Sequence, residues 1–168
     1  KVNNLKFNDI EKGYQSTMYI VGSKGKQLHK TANGEWHYVS TGVTENLNAI
    51  KVNASNLAVI AGNNGGLWKK TQYQQSNPYT KIAVPGSDHL YDLKLLSNQA
   101  FIAGEKGTLI YVNNVNTMAT PPTAALQLTA ADFTGIDEKP GSGTVIAVGS
   151  GSAMYNFAQT TGIIITEI

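Results

Sequence analysis

The sequence predicts an all-β chain organised as a β-propeller, and three observations carry that prediction. An apolar residue, two intervening positions and a second apolar residue recur four times: Phe7-Asn8-Asp9-Ile10, Leu47-Asn48-Ala49-Ile50, Leu90-Tyr91-Asp92-Leu93 and Phe133-Thr134-Gly135-Ile136. Their starts lie 40, 43 and 43 residues apart. After each pattern comes an apolar run closed by glycine at Gly22, Gly62, Gly104 and Gly149, the glycine falling 12, 12, 11 and 13 residues beyond the second apolar anchor. Finally, the first three copies place another glycine three positions on, at Gly25, Gly65 and Gly107, before a further alternating segment such as Thr108-Leu109-Ile110-Tyr111-Val112. A repeat of about 40 to 45 residues holding several short strands is the mark of a propeller blade.

Within each unit the elements follow in order. The anchor pattern is the first strand, and the glycine-closed run, such as Tyr19-Ile20-Val21-Gly22, is the second. Gly-x-x-Gly is then a tight turn, because glycine tolerates the positive φ that such turns need. The fourth copy departs, reading Gly149-Ser150-Gly151-Ser152. A third strand follows, and Trp36 to Val39, Tyr79 to Val84, Ala125 to Leu128 and Ile163 to Thr166 supply the fourth. In the first unit Asn33-Gly34 marks the last hairpin. Pro78, Pro85, Pro121, Pro122 and Pro140 fall between strand candidates, and no segment reads as an amphipathic helix. The four blades, each of about 42 residues, cover residues 1–45, 46–88, 89–131 and 132–168 of one propeller domain or partial propeller.

An ordinary β-sandwich also spaces its strands regularly, but four copies of one pattern weigh against it. A single blade cannot bury both faces, and polar capping of the outermost units is absent, since Tyr19-Ile20-Val21 and Ile146-Ala147-Val148 are as apolar as the middle strands. Closure is therefore expected: as a small four-blade ring, with a second copy of the chain, or with blades from another segment.

Composition narrows function. Thirteen basic residues face 11 acidic ones for a net charge of +2, and all 13 are lysine. Without arginine and with little charge, the chain has neither the guanine-reading forks nor the counterion release of a nucleic-acid binder. No cysteine is present, so disulfides, thiolate metal sites and cysteine nucleophiles are excluded. No apolar run approaches the roughly 20 residues of a membrane helix, so membrane insertion by helices is not expected. His29, His37 and His89 lack zinc spacing, and His29 and His37 read as a cross-strand surface pair; no metal and no cofactor is expected. Lys69-Lys70-Thr71 lacks the glycines of a phosphate loop.

The first unit, from Phe7 through Val21-Gly22-Ser23-Lys24-Gly25 to Asn33-Gly34-Glu35-Trp36, resembles the repeat of photosystem II stability and assembly factor-like propellers, relatives of the neuraminidase or Asp-box repeats. The apolar strand and its closing glycine match in all four units; the Asp-box-like turn matches only in the first, with Asn33 in place of Asp. The resemblance implies a non-enzymatic propeller, extracytoplasmic (periplasmic or secreted) in bacteria or plastids, that docks partner proteins. Those factors meet partners through arginine-rich surfaces, which this chain cannot build.

A sialidase needs an arginine triad for its substrate's carboxylate, which is impossible here. Asp9 and Asp92 hold equivalent places and could form the carboxylate pair of another glycosidase, but acids there more often cap backbone N–H groups. No catalytic residue is expected. The principal reading is a scaffold docking protein partners in a larger assembly, such as a bacterial envelope or secretion complex. Its contact surface is the rim of second-to-third strand turns, carrying Lys24, Asn63, Asn64, Glu105, Lys106 and Ser150. The alternative is a lectin-like propeller using Tyr14, Tyr38, Tyr73, Tyr79, Tyr91, Tyr111, Tyr155, Trp36 and Trp68, although strand aromatics mostly pack between blades.

Overall fold

A computed structural model describes residues 5–71, 78–117, 124–159 and 163–167. Tyr73, Pro121 and Pro122 lie outside the described residues. Four antiparallel sheets follow one another along the chain, each a four-stranded meander. Blade 1 holds β1 (Phe7–Lys12), β2 (Met18–Gly22), β3 (Lys26–Lys30) and β4 (Trp36–Ser40). Blade 2 holds β5 (Leu47–Val52), β6 (Ala58–Gly62), β7 (Gly66–Lys70) and β8 (Thr80–Lys81). Blade 3 holds β9 (Leu90–Leu96), β10 (Gln99–Gly104), β11 (Thr108–Val112) and β12 (Ala124–Gln127). Blade 4 holds β13 (Phe133–Lys139), β14 (Thr144–Gly149), β15 (Met154–Gln159) and β16 (Ile163–Glu167). The expected propeller architecture is present. Strand β8 is shorter than the expected Tyr79 to Val84 run: Ile82 still donates its N–H to the Leu67 carbonyl, but the chain then leaves the sheet toward Pro85.

The repeated anchor has a structural cause. Alternation would put a second core residue two positions after the first, yet the spacing is three. Each first strand is bulged between its anchors, with register shifts at Phe7/Asp9, Leu47/Ala49, Leu90/Asp92 and Phe133/Gly135. An extra residue returns both anchors to one side of the sheet, which in blades 2 to 4 is the buried side. The residue in the bulge is then free to reach sideways. Asn8 Nδ2 donates to the Leu47 carbonyl at 2.8 Å, and Asn48 Nδ2 to the Leu90 carbonyl at 2.8 Å, tying blade 1 to blade 2 and blade 2 to blade 3.

The core consists of three layers, one per seam. Tyr19 and Val21 of blade 1 pack on Leu47, Ile50, Ile60 and Trp68. Val59, Ala61 and Leu67 pack on Leu90, Leu93, Ile102 and Ile110. Phe101, Leu109 and Tyr111 pack on Phe133, Ile136, Val145 and Ala147. The inner strands pack in sequence, β1 on β5, β5 on β9 and β9 on β13, and β13 makes no comparable packing with β1. The four blades therefore form an arc, and the small four-blade ring is not what the chain adopts.

Asn33-Gly34 lies in the β3–β4 hairpin turn as expected, and one further expectation, on His29, needs correction. The loop after β3 runs Thr31 to Glu35, closed by the Thr31 N–H on the Glu35 carbonyl, so Asn33-Gly34 sits in a five-residue turn with Gly34 at φ +92°. His29 does pair with His37 across β3 and β4, but it is buried at the first seam, stacked on Tyr19 with ring centroids 4.9 Å apart.

Candidate functional site

The four turns between second and third strands share one geometry and one rim. Glycines 22, 62, 104 and 149 close their strands, and the backbone at Gly22, Gly104 and Gly149 is extended, with φ of −170°, −162° and −155°. The expected positive φ is not the reason for glycine here. A Cβ would stand 2.1 Å from the Lys6 carbonyl at Gly22, and 2.4, 2.3 and 2.0 Å from the Asn46, His89 and Asp132 carbonyls at the other three. Those carbonyls accept the N–H groups of Ser23, Asn63, Glu105 and Ser150, so a missing side chain lets the turn dock on the chain entering the blade.

The next turn residue is left-handed, with φ of +56°, +56° and +52° at Lys24, Asn64 and Lys106. Its N–H points at the following blade. Lys24 donates to Asn46 Oδ1 at 3.1 Å, Asn64 to His89 Nδ1 at 3.1 Å, and Lys106 to Asp132 Oδ1 at 3.0 Å. Asn46, His89 and Asp132 are thus equivalent acceptors of different residue type.

The structure brings the six predicted contact residues to this rim but divides their side chains. Ser150 Oγ accepts the Asp132 N–H, Glu105 Oε2 accepts the His89 N–H, and Asn63 Oδ1 accepts from Asn48 Nδ2, so these three bond to the roots of their own blades, Ser150 while still exposed. Lys24, Asn64 and Lys106 are exposed. Lys106 Nζ lies 2.9 Å from Asp88 Oδ1, and Asp88 Oδ2 accepts from Gln127 Nε2 at 2.7 Å and Thr108 Oγ1 at 3.4 Å. The Lys106 hydrogen bond holds the Asp88 carboxyl below its ordinary range. Asp88, Thr108, Gln127 and the half-exposed Leu126 line a hollow of about 320 Å³ with Pro85 and Gly86. Sequence reasoning missed this cluster, whose members lie 18 to 39 residues from Asp88.

The inner strands line a larger hollow of about 740 Å³, with Glu11, Lys51, Asp92, Lys94 and Asp137 among its walls. Both acids considered for glycoside cleavage are committed elsewhere. Asp9 accepts from the Ile10 N–H at 2.8 Å and the Ile50 N–H at 2.9 Å; Asp92 accepts from the Leu93 N–H at 2.8 Å and the Ile136 N–H at 2.9 Å. Each carboxylate staples its blade to the next. Burial pushes the Asp92 carboxyl up, against the lowering effect of those two N–H groups and Lys51. Among the described residues no three His, Asp or Glu side chains converge as metal ligands. Of the aromatics, Trp68, Tyr79 and Tyr111 are buried, whereas Tyr14, Trp36 and Tyr38 are exposed, all on blade 1.

The first seam also holds polar groups. His29 faces Tyr19, His37 and Lys70, Gln27 Nε2 donates to Tyr79 Oη at 3.0 Å, and the Lys70 ammonium lies 5.6 Å from the Tyr79 ring centre. Burial, then His37 and Lys70, hold the His29 imidazole below its ordinary value of 6.5. A base whose folded value is depressed binds its proton more readily in the unfolded chain. Its contribution to stability is thus present above pH 6.5 and is lost as pH falls below it, toward the folded value. The urea midpoint should drop between pH 7.5 and pH 5, and His29→Gln should flatten that drop; an unchanged slope would remove His29 as its source.

No protein-family model matches the chain, and no curated protein is similar to it in sequence. Solved structures do match. The WD40 β-propeller domain of Doa1 superposes with a TM-score of 0.74 at 10% identity, over 98% of this chain and 54% of that one. A structure of YCF48 bound to D1 peptide superposes with a TM-score of 0.68 at 14% identity, over the same shares of 98% and 54%. The second neighbour is a photosystem II assembly factor, the class of repeat that the sequence resembles. Such likeness shows a shared propeller fold. The chain spans about half the length of these two structures.

Proposed function

We propose that this chain is a non-catalytic propeller module that docks a protein partner on the rim of second-to-third strand turns, within a larger assembly. The observation that carries the reading is the division of labour in those turns. Their backbones tie each of the first three blades to the next, Asn63, Glu105 and Ser150 bond within their own blades, and Lys24, Asn64 and Lys106 are exposed at left-handed positions whose N–H groups are held by the following blade. A rigid display of a few polar side chains limits the entropy lost on binding. The engagement of Asp9 and Asp92 with backbone donors supports the non-enzymatic part of the reading. Both solved neighbours are propellers, one of them with a bound peptide. On the repeat resemblance alone, the setting we propose is extracytoplasmic, in a bacterial envelope or secretion complex.

The test is comparative capture. Immobilised wild-type chain, the triple variant Lys24→Ala, Asn64→Ala, Lys106→Ala, and the opposite-rim control Ser55→Ala are exposed to the native extract, and captured proteins are quantified. The triple variant should lose at least about tenfold of a specific partner, the order expected when two or three contact residues are truncated, with its circular dichroism unchanged. The control should retain it. Equal capture by all three would place docking elsewhere.

A further inference from the structure

Every seam buries the same kind of row. Ile50, Ile60 and Trp68 lie in register across β5, β6 and β7 and are covered by blade 1. Leu93, Ile102 and Ile110 are covered by blade 2, and Ile136, Ala147 and Tyr155 by blade 3. Blade 1 carries the matching row, Ile10, Ile20, Leu28 and Tyr38, in the same register. Among the described residues no blade covers it: Ile10 is 51% exposed and Tyr38 60%. The trailing face of blade 4 is open too, with Val148 44% exposed where its counterparts Val21, Ala61 and Ala103 are 0%. What covers such a row elsewhere in the molecule is the trailing face of another blade.

The seams also alternate. Asp9 staples blade 1 to blade 2 and Asp92 staples blade 3 to blade 4, while the same register position holds Ala49 in blade 2 and Gly135 in blade 4. The inner-strand charges run Glu11, Lys51, Lys94, Asp137. Glu11 pairs with Lys51 at 3.2 Å and Lys94 with Asp137 at 2.6 Å, whereas the second seam sets Lys51 and Lys94 along one hollow as like charges. The chain thus repeats in pairs of blades. Such alternation closes without a break only in a ring with an even number of blades, and four blades span about half of each solved propeller chain.

We propose that two copies of this chain join head to tail, the trailing face of each blade 4 covering the Ile10–Tyr38 row of the other copy, to close a ring of eight blades. This arrangement has twofold symmetry and leaves no free blade face. Asp137 then precedes Glu11 of the second copy as Lys51 precedes Lys94, continuing the alternation. Lys12 supplies compensation. It occupies the register position of Val52, which lines the same hollow as Glu11, so Lys12 of one copy comes beside Asp137 of the other. One bond is not reproduced. The turn position of Lys24, Asn64 and Lys106 is Gly151 in blade 4, and its counterpart acceptor in blade 1 is Lys6, an ammonium that accepts nothing.

Sedimentation equilibrium of the purified chain tests this, independently of what the rim binds. The expected mass is twice that of one chain. Ile10→Lys and Val148→Lys, both on exposed positions, should each give monomer with unchanged circular dichroism, because a lysine would be buried in both seams of the dimer. Lys6→Asn should lower the dissociation constant about tenfold or more, since the ring gains the missing bond twice. A monomer at all concentrations, a mass that grows without limit as an unclosed head-to-tail chain would, or a dimer indifferent to Ile10→Lys would each overturn the proposal.

Discussion

Phe101→Ala is expected to lower the unfolding free energy by about 3 to 5 kcal/mol, the range for removing a buried aromatic ring from a packed interior. Phe101 is 2% exposed and lies in the layer between blades 3 and 4, its ring centre 5.0 Å from that of Tyr111. Tyr111 cannot swing in to fill the space, because its hydroxyl is held by Asn113 Oδ1 at 3.0 Å. The surrounding Phe133, Val145 and Ala147 belong to the other blade, so the cavity opens on both sides of the seam. In a linear array of repeats the seam energies couple the units. The variant should therefore split the denaturant transition, with amide exchange in β13 to β15 accelerating before that in β5 to β7. A single transition at the wild-type midpoint would mean that the third seam contributes little.

The periodic parts of this architecture were legible because they depend on residue type. Apolar anchors, closing glycines and the second glycine recur with little variation, and they fix four units and their strands. The three-residue spacing of the anchors even encodes the bulge, although the bulge is recognisable only once Phe7 and Asp9 are seen to pair with Gly22 and Val21. Illegible features were those where one role is played by different residues. Asn46, His89 and Asp132 accept equivalent N–H groups with an amide, an imidazole and a carboxylate, so no pattern survives in the sequence. In the sequence Lys69 stands out only in a run that lacks the glycines of a phosphate loop, yet its ammonium crosses the second seam to the Val115 and Asn116 carbonyls at 2.9 and 3.1 Å. Long lysine stems bury readily while their heads find carbonyls, which composition alone does not reveal. Exposure at the arc's two ends was hidden for another reason. Ile10 and Ile50 are the same residue in the same register, and only the presence of a neighbouring blade separates 51% from 0% exposure.

Gly25→Ser is expected to be severely destabilising and Ser152→Gly harmless, although both positions have the same backbone. Gly25, Gly65 and Gly107 have φ of +65°, +63° and +66°, and Ser152 has +62°. The departure of the fourth copy from Gly-x-x-Gly is therefore a change of residue without a change of turn. Left-handed backbone alone costs a residue with a side chain on the order of 1 kcal/mol, which blade 4 evidently tolerates. The difference lies in the connector to the next blade. At Gly25 a Cβ would stand 1.7 Å from the Val43 carbonyl oxygen, and at Gly107 2.4 Å from that of Thr129. Val43 and Thr129 lie on the links that carry the chain from one blade to the next. Displacing that link also breaks the Gly25 N–H bond to the Glu45 carbonyl at 2.7 Å and the Thr41 hydroxyl bond to the Gly25 carbonyl at 2.7 Å. Strain and overpacking together should cost about 3 kcal/mol or more. Ser152 is exposed, so Ser152→Gly should shift stability by less than about 1 kcal/mol as strain relief offsets added chain entropy. Equilibrium urea unfolding of the two variants reads both numbers. Comparable losses in each would show that the left-handed backbone, rather than the passing connector, is what requires glycine in the first three turns.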